Sequence, residues 1–116
     1  MRLTEYGKLV RKARIDANIT MLKMADALGV SPSYLSALEN GKKKVPTQFV
    51  GKVLEYFREV GVDVPGLFEA TAVSNEQVSI AGLSLAQQIF ISSLARTALT
   101  AKQIDDLAEK LAEIRK

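Results

Sequence analysis

Apolar positions along this 116-residue chain recur mostly at three- and four-residue intervals, and each such run stops at a residue suited to ending a helix. Tyr6, Leu9, Val10, Ala13 and Ala17 form the first stripe. It predicts a helix from Thr4, a good N-cap, to about Ala17, with Asn18 placed to take a left-handed conformation. Ile19 is expected to bury between helices. Thr20 caps a second helix over about Met21–Leu28, where Met24, Ala25 and Leu28 face inward and Gly29 breaks the pattern. Ser31 followed by Pro32 is an N-cap with a first-turn proline. It opens a third helix in which Leu35 and Leu38 point inward and which Asn40-Gly41 closes.

The pattern continues past the lysines. Thr47 to Val60 reads as a fourth helix with Phe49, Val50, Val53, Leu54 and Phe57 inward, ended by Gly61. Asp63-Val64-Pro65 should open a short fifth helix to about Thr71 that buries Leu67 and Phe68. Residues 73–83, VSNEQVSIAGL, lose the helical period. Val78 and Ile80 alternate with Ser79, so this piece is either a short strand or an extended linker. A lone strand cannot satisfy its backbone, so a strand here would pair with another chain. Ser84 with Gln87, and Thr100 with Gln103, are capping-box patterns. They start helices over about Leu85–Arg96 and Ala101–Arg115. The second carries Ile104, Leu107, Ala108, Leu111 and Ile114 on one side. The fold class is therefore all-α, and the chain divides into a five-helix domain over 1–72, a linker over 73–83 and a helical segment over 84–116.

Charge sharpens this division. Residues 1–60 hold eleven Lys/Arg against six Asp/Glu, a balance of +5, and residues 61–116 hold five against seven, a balance of −2. A basic front half points to an anionic partner. With no cysteine and no histidine, disulfides, thiolate or imidazole zinc sites and Ser-His or Cys-His nucleophiles are excluded. No Gly-rich phosphate loop occurs, so no cofactor, metal or enzymatic activity is expected. No run of about eighteen apolar residues and no signal pattern appears, which predicts a cytoplasmic protein with no membrane partner.

Small Ala25, Gly29 and aliphatic Leu35, within ALGVSPSYLSALENGKK, stand where a helix-turn-helix needs a close crossing, a positive φ and an inward lock. The stretch resembles the DNA-binding motif of XRE (Cro/C1-type, phage-repressor-like) regulators. That resemblance implies a five-helix repressor-like domain whose third helix enters the major groove. Pro32, Ser33, Ser36 and Ala37 would face bases, and Thr20, Met21, Tyr34, Asn40, Lys42, Lys43 and Lys44 would lie along phosphates. It also implies that Arg14 pairs internally with Glu39; otherwise Arg14 is one more phosphate-facing charge. Met21 departs from the family, which often has a hydrogen-bonding residue at the start of the second helix.

The base-facing positions are chemically quiet. Serines can bond several bases, and Ala37 and Pro32 suit thymine methyls, but no Arg, Asn or Gln is there for a bidentate contact. DNA shape and phosphate register should therefore contribute much of the specificity. Helix-turn-helix domains grip two half-sites as dimers. The apolar tail residues Val78, Ile80, Ile89, Phe90, Ile104, Leu107, Leu111 and Ile114 are the expected interface with a second copy or another protein; otherwise the last two helices form a hairpin folded against their own chain. More loosely, the tail is similar to the additions found in HigA-type antitoxins, which implies a RelE/HigB-like toxin partner and control of its own operon. The expected function is a sequence-specific transcriptional regulator, a homodimeric repressor on a palindromic operator, bacterial or phage-encoded and nucleoid-associated. The alternative is a phage or mobile-element regulator with no toxin.

Overall fold

The computed structural model describes residues 2–116. Among these residues there are seven helices and no strand: α1 (Glu5–Ala17), α2 (Met21–Leu28), α3 (Pro32–Glu39), α4 (Thr47–Glu59), α5 (Leu67–Asn75), α6 (Leu85–Ala95) and α7 (Ala101–Ile114). They fall into two units, one ending at Val78 and one spanning Ser79–Lys116.

Helix starts in the first unit follow local chemistry. The side chains of Thr4, Thr20 and Ser31 accept the backbone N–H of Gly7, Lys23 and Tyr34, satisfying donors that the helix leaves unpaired. Asn18 (φ 57°) and Gly29 (φ 71°) end α1 and α2 in left-handed conformations. Tyr6, Val10, Ala13, Met24, Ala25, Leu35, Leu38, Val45, Phe49, Val50, Val53, Phe57, Val64 and Leu67 are buried together. α1 packs on α3 and α5, α2 on α3 and α4, and α4 on α5. Ile19 is partly buried against this core.

Two expectations are corrected here. The fifth helix starts after Gly66 rather than at Pro65, and it continues past Thr71 to Asn75. Phe68 is 49% exposed, so Leu67 and Thr71 supply the buried face of α5 instead. Of the two alternatives for Val78 and Ile80, strand or extended linker, the described residues show the linker: both lie in a loop, and no neighbouring strand offers them a ladder.

α5 is tied to the rest of its unit by polar bonds as well as packing. Ser74 Oγ accepts the N–H of Tyr6 at 2.9 Å, and Asn75 forms two bonds with the backbone of Val45. The Val45 N–H donates to Asn75 Oδ1, and Asn75 Nδ2 donates to the Val45 carbonyl, both at 2.9 Å. The asparagine thus copies a strand-like pairing onto the loop that follows the lysines.

In the second unit, Ser84 caps α6, although Gln87 returns no bond, while α7 carries a complete capping box between Thr100 and Gln103. Neither helix has a buried residue.

Candidate nucleic-acid interface

The third helix sits where its turn geometry dictates. Gly29 reverses the chain after α2, Val30 N–H reaches back to the Ala25 carbonyl at 3.0 Å, and Ser31-Pro32 restarts the helix at once. Leu35 and Leu38, each 1% exposed, anchor one face to the core. The opposite face carries Pro32 and Ser33, which are exposed, with Ser36 and Ala37 half-buried beside them. This surface is small, uncharged and able to come close to a partner.

Its C-terminal end is fixed by two devices. The first is the Arg14–Glu39 fork, with Arg14 Nη1 donating to Glu39 Oε2 at 2.5 Å and Nη2 to Oε1 at 3.0 Å. Both side chains are more than nine-tenths buried. Arg14 therefore faces Glu39 and is withdrawn from any phosphate. The second device is Thr4, whose N–H and Oγ1 both donate to the Glu39 carbonyl at 3.0 Å. This brings the backbones of α1 and α3 so close that Gly7 has no room for a side chain; a Cβ there would meet the Glu39 carbonyl oxygen. Tyr6, 1% exposed, lies beside the fork. Burial first, then the negative charge of Glu39, pushes its phenol well above the ordinary tyrosine range.

Beyond α3 the chain turns into a cationic loop. Asn40 Oδ1 accepts the Lys42 N–H at 3.1 Å, Lys43 N–H donates to the Ala37 carbonyl, and Gly41 takes φ 81°. Lys42, Lys43 and Lys44 are all exposed. Lys43 Nζ stands 5.6 Å above the ring of Tyr34, whose edge packs against Phe49. Tyr34 thus props one lysine and is itself half-buried. At the other flank, Thr20 spends its hydroxyl on the Lys23 N–H, Met21 is half-buried and Leu22 is 62% exposed.

Arg2, Arg11, Met21, Ser36 and Asn40 line an open notch of about 400 Å³ whose floor includes the Arg14–Glu39 fork. Sequence reasoning had no signal for this grouping of Arg2 and Arg11, because one lies before the first helix and the other on its outer face. The fork neutralises itself, so the two outer guanidiniums leave the notch cationic. Serine, alanine, lysine and arginine on one surface can take hydrogen-bonded, apolar and phosphate contacts together.

The tail residues expected at an interface lie elsewhere in the chain. Val78, Ile89, Phe90, Ile104, Leu107, Leu111 and Ile114 are each between 45% and 72% exposed, and Ile80 is half-buried in the loop before α6. Among the described residues no helix is long and apolar enough to cross a membrane, and no cluster of metal-ligating side chains occurs.

Comparison with known proteins agrees with this geometry where it applies. Residues 10–64 match the family model described as helix-turn-helix, from the middle of α1 to the residue before Pro65. No curated protein and no solved structure matches the chain. The matched span contains the turn at Gly29, the α3 face and the lysine loop. Residues 10–64, just under half of the chain, are thus similar to the helix-turn-helix, a DNA-binding regulatory domain.

Proposed function

We propose that this protein is a repressor that binds a palindromic DNA operator as a homodimer, with its recognition helices about 34 Å apart, one turn of B-DNA. The observation that carries the reading is the pairing of a small, uncharged α3 face with three exposed lysines directly behind it. Pro32, Ser33, Ser36 and Ala37 meet base edges, and Asn40, Lys42, Lys43 and Lys44 set the register along phosphates, with Thr20, Met21 and Tyr34 at its margins. Repression follows from occupying DNA that polymerase needs. The second copy is held by the apolar tail.

A second reading, in which the tail covers a RelE/HigB-like toxin and the protein represses its own operon, is motivated by the same exposed apolar residues. The neighbouring gene separates the two: a small basic reading frame beside this one favours the toxin partner, and its absence favours the first reading.

The DNA-binding surface is tested by fluorescence anisotropy on unrelated duplexes across a salt series. Replacing Lys42, Lys43 and Lys44 with Ala should weaken every duplex alike and flatten the log–log salt slope by up to about 2.7, at about 0.9 per phosphate contact. Loss confined to one sequence would show that these lysines read bases instead.

A further inference from the structure

α6 is apolar over most of its circumference. At 100° per residue, Leu85, Ile89, Phe90, Ile91 and Leu94 spread over about 240° of the helix, with Gln88 and Ser92 in the remaining arc, and no charged residue occurs between Leu85 and Ala95. A helix of that kind belongs inside a protein, yet Leu85, Ile89, Phe90 and Leu94 are 71%, 58%, 61% and 40% exposed. α7 is different: one apolar stripe of Ile104, Leu107, Leu111 and Ile114 runs along an otherwise charged helix, and these four are 45–72% exposed. One helix needs covering over most of its surface, and the other is built to cover on one side.

Within a chain they do not cover each other. α6 and α7 do not pack along one another. The turn between them is finished by local bonds. Thr97 Oγ1 donates to the Ser93 carbonyl at 2.6 Å, Thr97 N–H to the Leu94 carbonyl, and the Thr100 capping box starts α7 independently. Both helix ends are satisfied with the apolar faces apart.

α6 also presents a shaped groove of about 340 Å³, lined by Ile80, Leu85, Gln88, Ile89, Ser92 and Arg96. Its wall is held in place by Gln88, whose Nε2 donates to the Ile80 carbonyl at 2.9 Å and the Leu83 carbonyl at 3.3 Å. Ser92 leaves room for a helix to approach. Arg96 forms no ion pair among the described residues, whereas α7 carries four carboxylates against two lysines.

We infer that the α6 groove receives α7 of a second copy of this chain, in a reciprocal exchange of helices around a two-fold axis. This rests on the homodimer reading and specifies its interface. At roughly 100 Å² apiece, the eight exposed side chains of α6 and α7 offer on the order of 800 Å² per chain, the share one partner gives to a standard stable interface. A two-fold arrangement covers α6 twice, by its own copy on one side and by the exchanged α7 on another. The carboxylates of α7 then border Arg96 of the other chain. Each tail is incomplete alone and complete in the pair.

The chain has no cysteine, so introduced thiols are the sole ones present. Ser92→Cys and Ala108→Cys variants are prepared separately and in one chain, mixed by unfolding and refolding together, and treated with a bis-maleimide spanning about one helical turn, ~5 Å. Exchange predicts a mixed covalent dimer in several-fold excess over either single variant alone, and covalent dimers from the double variant. A monomer-sized ring in the double variant overturns the inference, because α7 then covers its own α6. So does equal cross-linking of each single variant with itself. Ser93→Cys with Ala112→Cys repeats the measurement if the first pair folds poorly. Sedimentation of the unmodified chain reports on the homodimer separately: a dimer with the wrong cross-link pattern overturns exchange alone, and a monomer overturns both.

Discussion

The two units of this chain solve the same problem in opposite ways. Up to Val78, every helix buries side chains against another helix, and the core holds side chains such as Val10, Met24, Val50 and Phe57 with no exposed surface at all. From Ser79 onward there are well-capped helices of good length and no buried residue. Local capping is as complete in the tail as in the domain, so capping is not what distinguishes them. Partners are. Good hydrogen-bonding ends make a helix possible, but packing against another element makes it part of a fold.

The sharpest way to break this comparison is at the fork. Glu39→Ala leaves the Arg14 guanidinium buried without its carboxylate and should cost the first unit about 3–5 kcal/mol. Denaturant melts would check it, and an unchanged midpoint would mean that the fork adds nothing to closure. A matched pair of truncations tests the contrast directly. Leu35→Ala opens a cavity in the core and should cost about 3 kcal/mol. Leu111→Ala, the same chemical change on a half-exposed side chain, should stay within about 0.5 kcal/mol in dilute monomer. Similar losses at both sites, measured by thermal unfolding, would show that the tail is packed within one chain.

Gly7→Ala comes next. Its new methyl would press on the Glu39 carbonyl, which is backbone and cannot swing aside, so a loss of about 2–3 kcal/mol is expected. A smaller loss than that of Gly7→Ala is expected at high pH. The native fold holds the Tyr6 proton more tightly than the unfolded chain does, so the unfolded chain ionises first as pH rises past its ordinary value of 10.0. Stability from this group is present below pH 10 and lost above it, by about 1 kcal/mol at pH 11. In Tyr6→Phe that alkaline decline should shrink. All three tyrosines lie in the first unit, so the tail should not follow it.

What could be read from the chain was what short-range chemistry decides. Thr4, Thr20, Ser31, Ser84 and Thr100 are caps by type and position, and Asn18 and Gly29 are left-handed stops; each needs only a few neighbours to act. The turn at Gly29 and the inward Leu35 followed from spacing, and these also placed the α3 face. The Arg14–Glu39 fork, separated by 25 residues, was suggested by family likeness, since nothing local links the two. Gly7 passed as an ordinary helix residue because its reason for being glycine is a carbonyl 32 positions away. Ser74 and Asn75 looked like linker because small polar residues signal loops, whereas here they close α5 onto Tyr6 and Val45. Phe68 was expected inside by hydrophobicity, but its place on α5 faces outward. Long-range contacts were the invisible part.

Asn75 has one more consequence. It is the last residue of α5, three positions before the first unit ends, and it grips the backbone of the residue that follows the three lysines. Helix ends fray first, so unravelling of α5's final turn, by heat, pull or proteolysis, removes both bonds at Val45 together. The chain's exit point and its cationic loop therefore share one latch, and the same small fluctuation loosens both.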